Sequence, residues 1–535
     1  MLLGCLSLYA ADNDLITKQF TINLKEDGTL PDRIGNSRKY RITNLKIIGE
    51  INGTDLRMIR EMAGSTDGNL SVLDLSEAKI VEGGDYYYKD YYTSNDVIGS
   101  YAFYGCSGLT SLTLPAGITK ISSYAFYGCS GLTSLTLPAG ITEIGESAFD
   151  HCRGLTSLTL PAGITSIGSY AFKFCSGLTS LTLPAGITEI GGGAFDGCSG
   201  LTSLTLPAGI TKIGEGAFRG CIGLTSLTLP AGITKIGGGT FRGCSGLTSL
   251  TLPAGITEIG KGAFDGCSGL TSLTLPAGIT EIGGGAFDGC SGLTSLTLPA
   301  GITKIGYGAF ERCSGLTSLT LPAGITEIGK GAFCYCSGLT SLTLPAGITK
   351  IGESAFLGCS GLTSLTLPAG ITKIGYGAFE RCSGLTSLTL PAGITEISDY
   401  AFKGCSGLTS LTLLAGIIFS IGEGVFNGCR GLTSIYVYAE KVPKIWYDIF
   451  EGFDAKKCTL YVPMGTRDDY RLSDFGRYFK NIVEFEATGI DKTTTSTDFE
   501  EVARYSVNGL RLSAPTKGLN IVKYSDGSVK KVAVR

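Results

Sequence analysis

The chain has 535 residues, 80 of them Gly, with 43% hydrophobic residues, 17% charged residues and a net charge of −3. So few charges, so nearly balanced, argue against a nucleic-acid binder, and the apolar content argues against a mainly disordered chain. The single His, His151, removes most His-dependent acid–base and metal chemistry, and no catalytic residue, metal site or cofactor is assigned.

In chain order, residues 1–11 come first. They run apolar from Leu2 to the small pair Ala10 and Ala11, as the tail of a secretory signal peptide does. The stretch Leu2 to Cys5 also resembles a lipoprotein box, which would acylate Cys5. No other run approaches the ~20 apolar residues of a transmembrane helix. Residues 12–98 read as an N-terminal cap with degenerate repeats. Tyr40 to Ile48 has the pattern of a strand. Gly53 to Asp55 starts a short helix carrying Leu56, Ile59 and Met62, and Ser71 to Ser76 is a degenerate repeat strand. Between cap and array, Tyr86, Tyr87, Tyr88, Tyr91 and Tyr92 fall in a predicted loop. Clustered Tyr side chains suit recognition because they offer large amphipathic contacts at low entropy cost; the alternative is that they cover the first coil.

Residues 99–433 are a repeat array. Cysteines recur every 23 residues from Cys106 to Cys405, and Cys429 follows after 24. A fixed period in this range with an L-x-x-L-x-L core, here Leu109, Leu112 and Leu114, is a leucine-rich-repeat signature. Leu112 and Leu114 alternate with Thr113 as a strand does, and Pro115, Ala116 and Gly117 end it. Ile118, Ile121, Ala125, Phe126 and Cys129 complete a predicted core of one coil. One such coil cannot offset its own ordering entropy, so stability must come from stacking.

The cysteine ladder supplies one thiol per coil, too few at one point for a metal site. Stacked coils bring equivalent Cα atoms within disulfide range, but their Cβ vectors run parallel, so the ladder reads as a small buried hydrophobe. Cys334 is the extra thiol of the array, at a variable position expected to be exposed. His151 likewise reads as an exposed variant. Thr110, Ser111 and Thr113, and Thr133, Ser134 and Thr136 in the next unit, are expected on the outer strand face. That hydroxyl-rich surface is either a repetitive binding face that gains by avidity or simple β-propensity; ice binding is a remoter reading. One further column, from Lys120 to Glu396, holds six Lys, six Glu and Ser166, a neutral solvated edge. Gly191 to Gly193 read as a coil turn, since no strand-to-helix phosphate-loop context surrounds them.

Residues 434–486 form a C-terminal cap of two decayed coils, with strands at Ile435 to Tyr438 and Cys458 to Pro463, and Trp446 is expected to pack within it. Residues 487–500 are a Thr-rich linker, and 501–535 a small β module with short strands split by turns.

The A-F-x-x-C-x-x-L-x-x-L-x-L-P unit resembles the BspA-like leucine-rich repeats of Bacteroidetes surface proteins over roughly residues 40–486. The last 35 residues resemble the C-terminal sorting domain of the type IX secretion route, through Gly518, Asn520, Ile521, Val522, Lys531 and Val532. The expected fold class is a β-rich leucine-rich-repeat solenoid with a parallel sheet on one face, capped at both ends. The resemblance implies a secreted or outer-surface protein that adheres to host matrix or cell-surface proteins, or to other bacteria, without enzymatic activity. A monomer is expected, and the alternative is a structural spacer displaying another binding region.

Overall fold

Each 23-residue unit becomes one coil because its apolar residues fall where the chain turns inward. The computed structural model describes residues 15–64, 68–414, 420–445, 449–452, 454 and 456–486, and the backbone of four strands beyond residue 500. Signal-like residues 1–11, Cys5, Trp446 and the linker 487–500 lie outside the described residues.

Two parallel ladders run along the array, where the sequence suggested one. The first pairs strands such as Ser157–Thr159 and Ser180–Thr182 in register, Leu158 opposite Leu181. The second pairs two-residue strands such as Lys120–Ile121 and Glu143–Ile144. The missed signal is short: only Ile121 is buried beside a polar neighbour, too little for a period-2 pattern. A third set of backbone bonds closes each coil on the turn side. There the N–H of Phe126 donates to Ala148 O at 2.8 Å, one coil ahead. The predicted core holds: Leu112, Leu114, Ile118, Ile121, Ala125, Phe126 and Cys129 are all buried. The Phe rings stack along the axis from Phe103 onward, 5.3 Å apart for Phe103–Phe126 and nearly parallel, an offset arrangement that aromatic quadrupoles favour.

The glycine excess has two physical causes. Gly131 stands where the coils touch, and a Cβ there would lie 2.3 Å from Ser107 O. Gly128 instead adopts φ +73°, a left-handed conformation costly for other residues.

The caps continue the first ladder. At the N-terminal end β1 (Phe20–Asn23), β2 (Asn44–Ile51) and β3 (Val72–Ile80) pair in parallel and hand over to Ser111–Thr113. β2 begins four residues after the predicted start, because Arg38 to Arg41 form a turn held by Arg41 N–H on Arg38 O at 2.9 Å. Helix α1 spans Leu30–Ile34 and helix α2 Gly53–Ala63. α2 buries Leu56, Ile59 and Met62, as its pattern predicts. Its start is a capping box: Asn52 accepts from Thr54 N–H and Asp55 from Asn52 N–H, each at 3.0 Å. Asp55 is buried and also accepts from Gly28 N–H at 2.6 Å and Leu30 N–H at 2.9 Å, which joins the two helix starts.

At the C-terminal end Ser434–Val437, Thr459–Pro463 and Asn481–Phe485 extend the same sheet. Two helices, α3 (Arg467–Leu472) and α4 (Phe475–Tyr478), were not anticipated. They bury Tyr470 and Phe475, and Phe475 and Phe479 close on Phe450, the last ring of the stack. Beyond residue 500 the chain belongs to a separate unit, with an antiparallel sheet of Glu501–Ser506, Arg511–Leu512, Gly518–Tyr524 and Val529–Val534.

Candidate interaction surfaces

Three surfaces carry the residues singled out from sequence. On the strand face, Thr110, Thr113, Thr133, Ser134 and Thr136 are exposed and Ser111 is half-buried. Their hydroxyls are not equivalent. Thr110 Oγ1 donates to Ser71 O at 3.0 Å, and Thr133 Oγ1 to Thr110 O at 3.0 Å. The pattern recurs in most coils down to Thr433 on Thr409 at 3.1 Å. This column therefore spends its donors on holding coils together. Among the described residues the hydroxyls of Ser111, Thr113, Ser134 and Thr136 make no such bond, which makes them the face's free donors. A second Thr column, on the other ladder, does the same as the first: Thr395 Oγ1 donates to Thr372 O at 3.0 Å.

The Tyr cluster is a hairpin rather than a loop, β4 (Gly83–Tyr88) paired antiparallel with β5 (Tyr91–Thr93). Tyr86, Tyr91 and Tyr92 are exposed, and the Arg57 guanidinium lies 4.4 Å from the Tyr86 ring. Tyr87 is not a surface residue. Strand alternation turns it inward, where it is 3% exposed and donates its hydroxyl to Ser100 O at 2.7 Å. Burial pushes its phenol up to about 12. Tyr88 is half-buried and stacks on Tyr101 and Tyr104, 5.4 and 5.5 Å away. The rings continue to Tyr124 and Tyr127, each 5.0 Å from its counterpart. The sequence reading missed these four, though Tyr-Ala-Phe-Tyr at 101–104 recurs at 124–127.

All twelve charges of the Lys/Glu column form neighbour pairs, such as Lys120–Glu143 at 2.9 Å, Lys235–Glu258 at 2.7 Å and Lys373–Glu396 at 2.8 Å. Lys212–Glu189, Lys304–Glu281 and Lys350–Glu327 complete the set, and Ser166 stands between pairs. The column is neutral pair by pair.

The thiols are chemically quiet. From Cys129 to Cys429 each ladder Sγ–H donates to the Phe carbonyl one coil back, Cys129 to Phe103 O at 3.0 Å. The seventeen described cysteines are free thiols; from Cys129 on each ladder sulfur is aimed at a carbonyl, and Cys405 is also within hydrogen-bonding reach of Cys429. Burial pushes the Cys106, Cys290 and Cys382 thiols up to about 12. Cys334, expected outside, is 6% exposed; Glu311 and Arg312 of the preceding coil lie beside it, and burial pushes its thiol up to about 11. His151 is half-buried too. Its ring sits between Tyr127 and Phe174, and Nδ1 lies 2.7 Å from Asp150 Oδ1. Among the described residues no group of three His, Cys, Asp or Glu could hold a metal ion, and no helix is long and apolar enough to cross a membrane.

In the separate C-terminal unit, Gly518, Asn520, Ile521 and Val522 lie on one strand and Lys531 and Val532 on the next, Asn520 opposite Val532 and Ile521 opposite Lys531.

Comparison with known proteins agrees with the coil geometry. A leucine-rich repeat protein from Bacteroides ovatus is 27% identical, with a TM-score of 0.54, over 75% of this chain and 90% of that one. A leucine rich cell surface protein from Faecalibacterium prausnitzii is 28% identical over 61% of this chain and 86% of that one, with a TM-score of 0.42. A leucine-rich repeat protein of T. pallidum is 35% identical over 30% of this chain and 78% of that one, with a TM-score of 0.29. No curated protein matches the chain. The model of the BspA type leucine rich repeat region matches residues 96–225, 211–340 and 326–457. With its 23-residue coils, its Phe and Cys ladders and a family match over most of its length, the chain belongs to the BspA-type leucine-rich-repeat family.

Proposed function

We propose that the protein is secreted to the outer cell surface and binds other proteins by multivalent contact, as an adhesin for host matrix or cell-surface proteins or for other bacteria. Family membership accords with a protein-binding scaffold rather than an enzyme. The observation that carries the reading is the strand face. Its free Ser and Thr hydroxyls, such as Ser157, Thr159, Ser180 and Thr182, repeat in register from coil to coil. Such a lattice binds weakly per coil and gains by number. Residues 501–535 serve as the sorting module, with Gly518, Asn520, Ile521, Val522, Lys531 and Val532 as its motif. The protein acts as a monomer.

The test is solid-phase binding of the full chain, and of variants lacking whole 23-residue units, to immobilised matrix proteins. Affinity should fall steeply as units are removed. Affinity independent of unit number would reject avidity. It would leave a second reading, a spacer that presents the Tyr hairpin. That reading is favoured by the exposed Tyr86 and Tyr92 and by Thr columns spent on coil cohesion. It requires Tyr86→Ala with Tyr92→Ala to abolish binding while Thr136→Val leaves it intact. Truncation after residue 500 tests the sorting role: the protein should then stay inside the outer membrane.

A further inference from the structure

The turn face is where coils differ, and midway along the array it opens. Two residues before the buried Phe, the early coils carry Tyr101, Tyr124, Ser147 and Tyr170. The next seven carry Gly, all left-handed with φ near +60°, and the first five of these, Gly193, Gly216, Gly239, Gly262 and Gly285, form the floor of the opening. With no side chains there, a trough of about 490 Å³ lies along the axis, lined by Tyr170 at one end and Tyr307 at the other. Tyr170 leans so far over the first floor glycine that a Cβ on Gly193 would lie 2.4 Å from its ring. A second hollow of about 420 Å³ runs beside it, lined by Phe174, Gly197, Gly220 and Gly243. Asp196, Arg219 and Arg242 line both hollows. Six coil-to-coil steps of ~4.8 Å make the trough roughly 29 Å long.

Its polar groups divide into paired and free. Arg242 pairs with Asp265 at 3.0 Å, and Asp196 lies 3.9 Å from Lys173. Glu215, Arg219 and Lys261 are exposed, line the trough and form no hydrogen bond or ion pair with another side chain among the described residues, although the Arg219 charge favours the ionised Asp196 carboxylate nearby. The floor offers nothing itself: the N–H groups of Gly216, Gly239 and Gly262 donate to the next coil at 2.9–3.0 Å.

These features select a ligand class. A peptide strand needs a free backbone edge, and an amphipathic helix an apolar floor; the trough has neither. A polyanion needs an excess of positive charge, whereas here the arginines and Lys261 alternate with carboxylates. What remains matched is a chain rich in hydroxyls. Carboxylate acceptors and guanidinium and ammonium donors bond hydroxyl groups of either polarity. Exposed aromatic faces receive the C–H faces of sugar rings.

We propose that the trough between Tyr170 and Tyr307 binds a linear, uncharged polysaccharide lying along the solenoid axis. Glu215, Arg219 and Lys261 bond its hydroxyls, and the exposed Tyr307 stacks on a sugar at one end, while Tyr170, whose ring lies over Gly193 and carries the Lys173 ammonium 4.9 Å from its centre, closes the other. The site is separate from the strand face and does not depend on adhesion there.

Affinity electrophoresis of the full chain through gels containing starch, xylan, galactomannan or mixed-linkage β-glucan tests this, with heparin and an extended zwitterionic peptide as competitors. At least one neutral polysaccharide should retard the protein. The triple variant Glu215→Ala, Arg219→Ala, Lys261→Ala should lower that affinity at least tenfold. Gly238→Tyr should block the trough; its Cβ would meet Lys261 O at an ordinary 3.5 Å, and Tyr307 already occupies the same column. Unchanged thermal unfolding shows that both variants keep their fold. Retardation by none of the four polysaccharides overturns the proposal. So does retardation that the triple variant leaves intact, or binding of heparin or the peptide alone.

Discussion

The strand face and the turn face of one coil are made by the same 23 residues, yet they obey different constraints. On the strand face each coil repeats its neighbour almost residue for residue. Thr156 Oγ1 reaches Thr133 O and Thr179 Oγ1 reaches Thr156 O, so a substitution there breaks a bond with the coil before. On the turn face the equivalent positions hold Tyr104, Asp150, Lys173, Arg219 or Cys334 without disturbing the Phe stack beneath. Cohesion is thus built into the core and the two ladders, while chemical individuality is confined to the turns.

The largest test of that division pairs a core residue with a turn residue. Phe287→Ala removes one ring from a stack in which it lies 5.2 Å from both neighbours. It should cost about 3–5 kcal/mol and split urea unfolding into two transitions, because coupling between coils is nearest-neighbour. Tyr307→Ala, on an exposed ring one coil on, should stay within about 0.5 kcal/mol. Equal losses in the two would mean that the turn face holds the coils together as well.

Next in size is the alkaline limit. The ladder thiols from Cys106 to Cys405 titrate near their ordinary value when unfolded and are pushed up in the fold, chiefly by burial, to about 12 for Cys106, Cys336 and Cys382. Above the ordinary value the unfolded chain has lost protons that the folded chain keeps, so stability is full below pH 9 and falls as pH rises towards 12. With one thiol per coil these losses add, and unfolding should steepen sharply above pH 9, less so in a variant whose ladder Cys are changed to Ala. At pH 8 iodoacetamide should label none of the ladder cysteines of the folded protein, whereas the urea-unfolded chain should react at every one.

A third comparison separates the two uses of glycine. Gly269→Ala would place a Cβ 2.4 Å from Ser245 O, so the coils must move apart. Gly262→Ala has room, its nearest neighbour at 3.8 Å, and bears only the left-handed strain of about 1–2 kcal/mol. Chemical denaturation should rank Gly269→Ala as the more damaging.

The repeat, its core and its strand face were legible because a period carries its own proof: a residue that returns every 23 positions must do the same job each time. What a coil does to its neighbour was not. The Cys129 thiol on Phe103 O and the Thr133 hydroxyl on Thr110 O are bonds between copies, invisible when one unit is read alone. Tyr87 was misplaced because a run of tyrosines has no polar alternation to show which face turns inward. The trough was missed for a similar reason. Gly191 to Gly193 are legible as a turn, but only the stacking of glycine on glycine across five coils turns absent side chains into space.

The smallest effect belongs to the charge column, which lies on a ladder but behaves like the turn face. Glu281 pairs with Lys304, while Glu258 on its other side already pairs with Lys235. Glu281→Lys gives up one attraction and removes one like-charge neighbour. The new Lys then faces Glu258, and Lys304 can turn to Glu327, which now pairs with Lys350. Each carboxylate would be shared between two ammonium groups. Exposed pairs of this kind contribute about 0–1 kcal/mol, so stability should change by less than about 0.5 kcal/mol and lose its dependence on salt by 0.5 M or so. A loss of several times that size would show that the column is a register device, fixing which coil sits on which, and would move it from the variable to the cohesive half of the molecule.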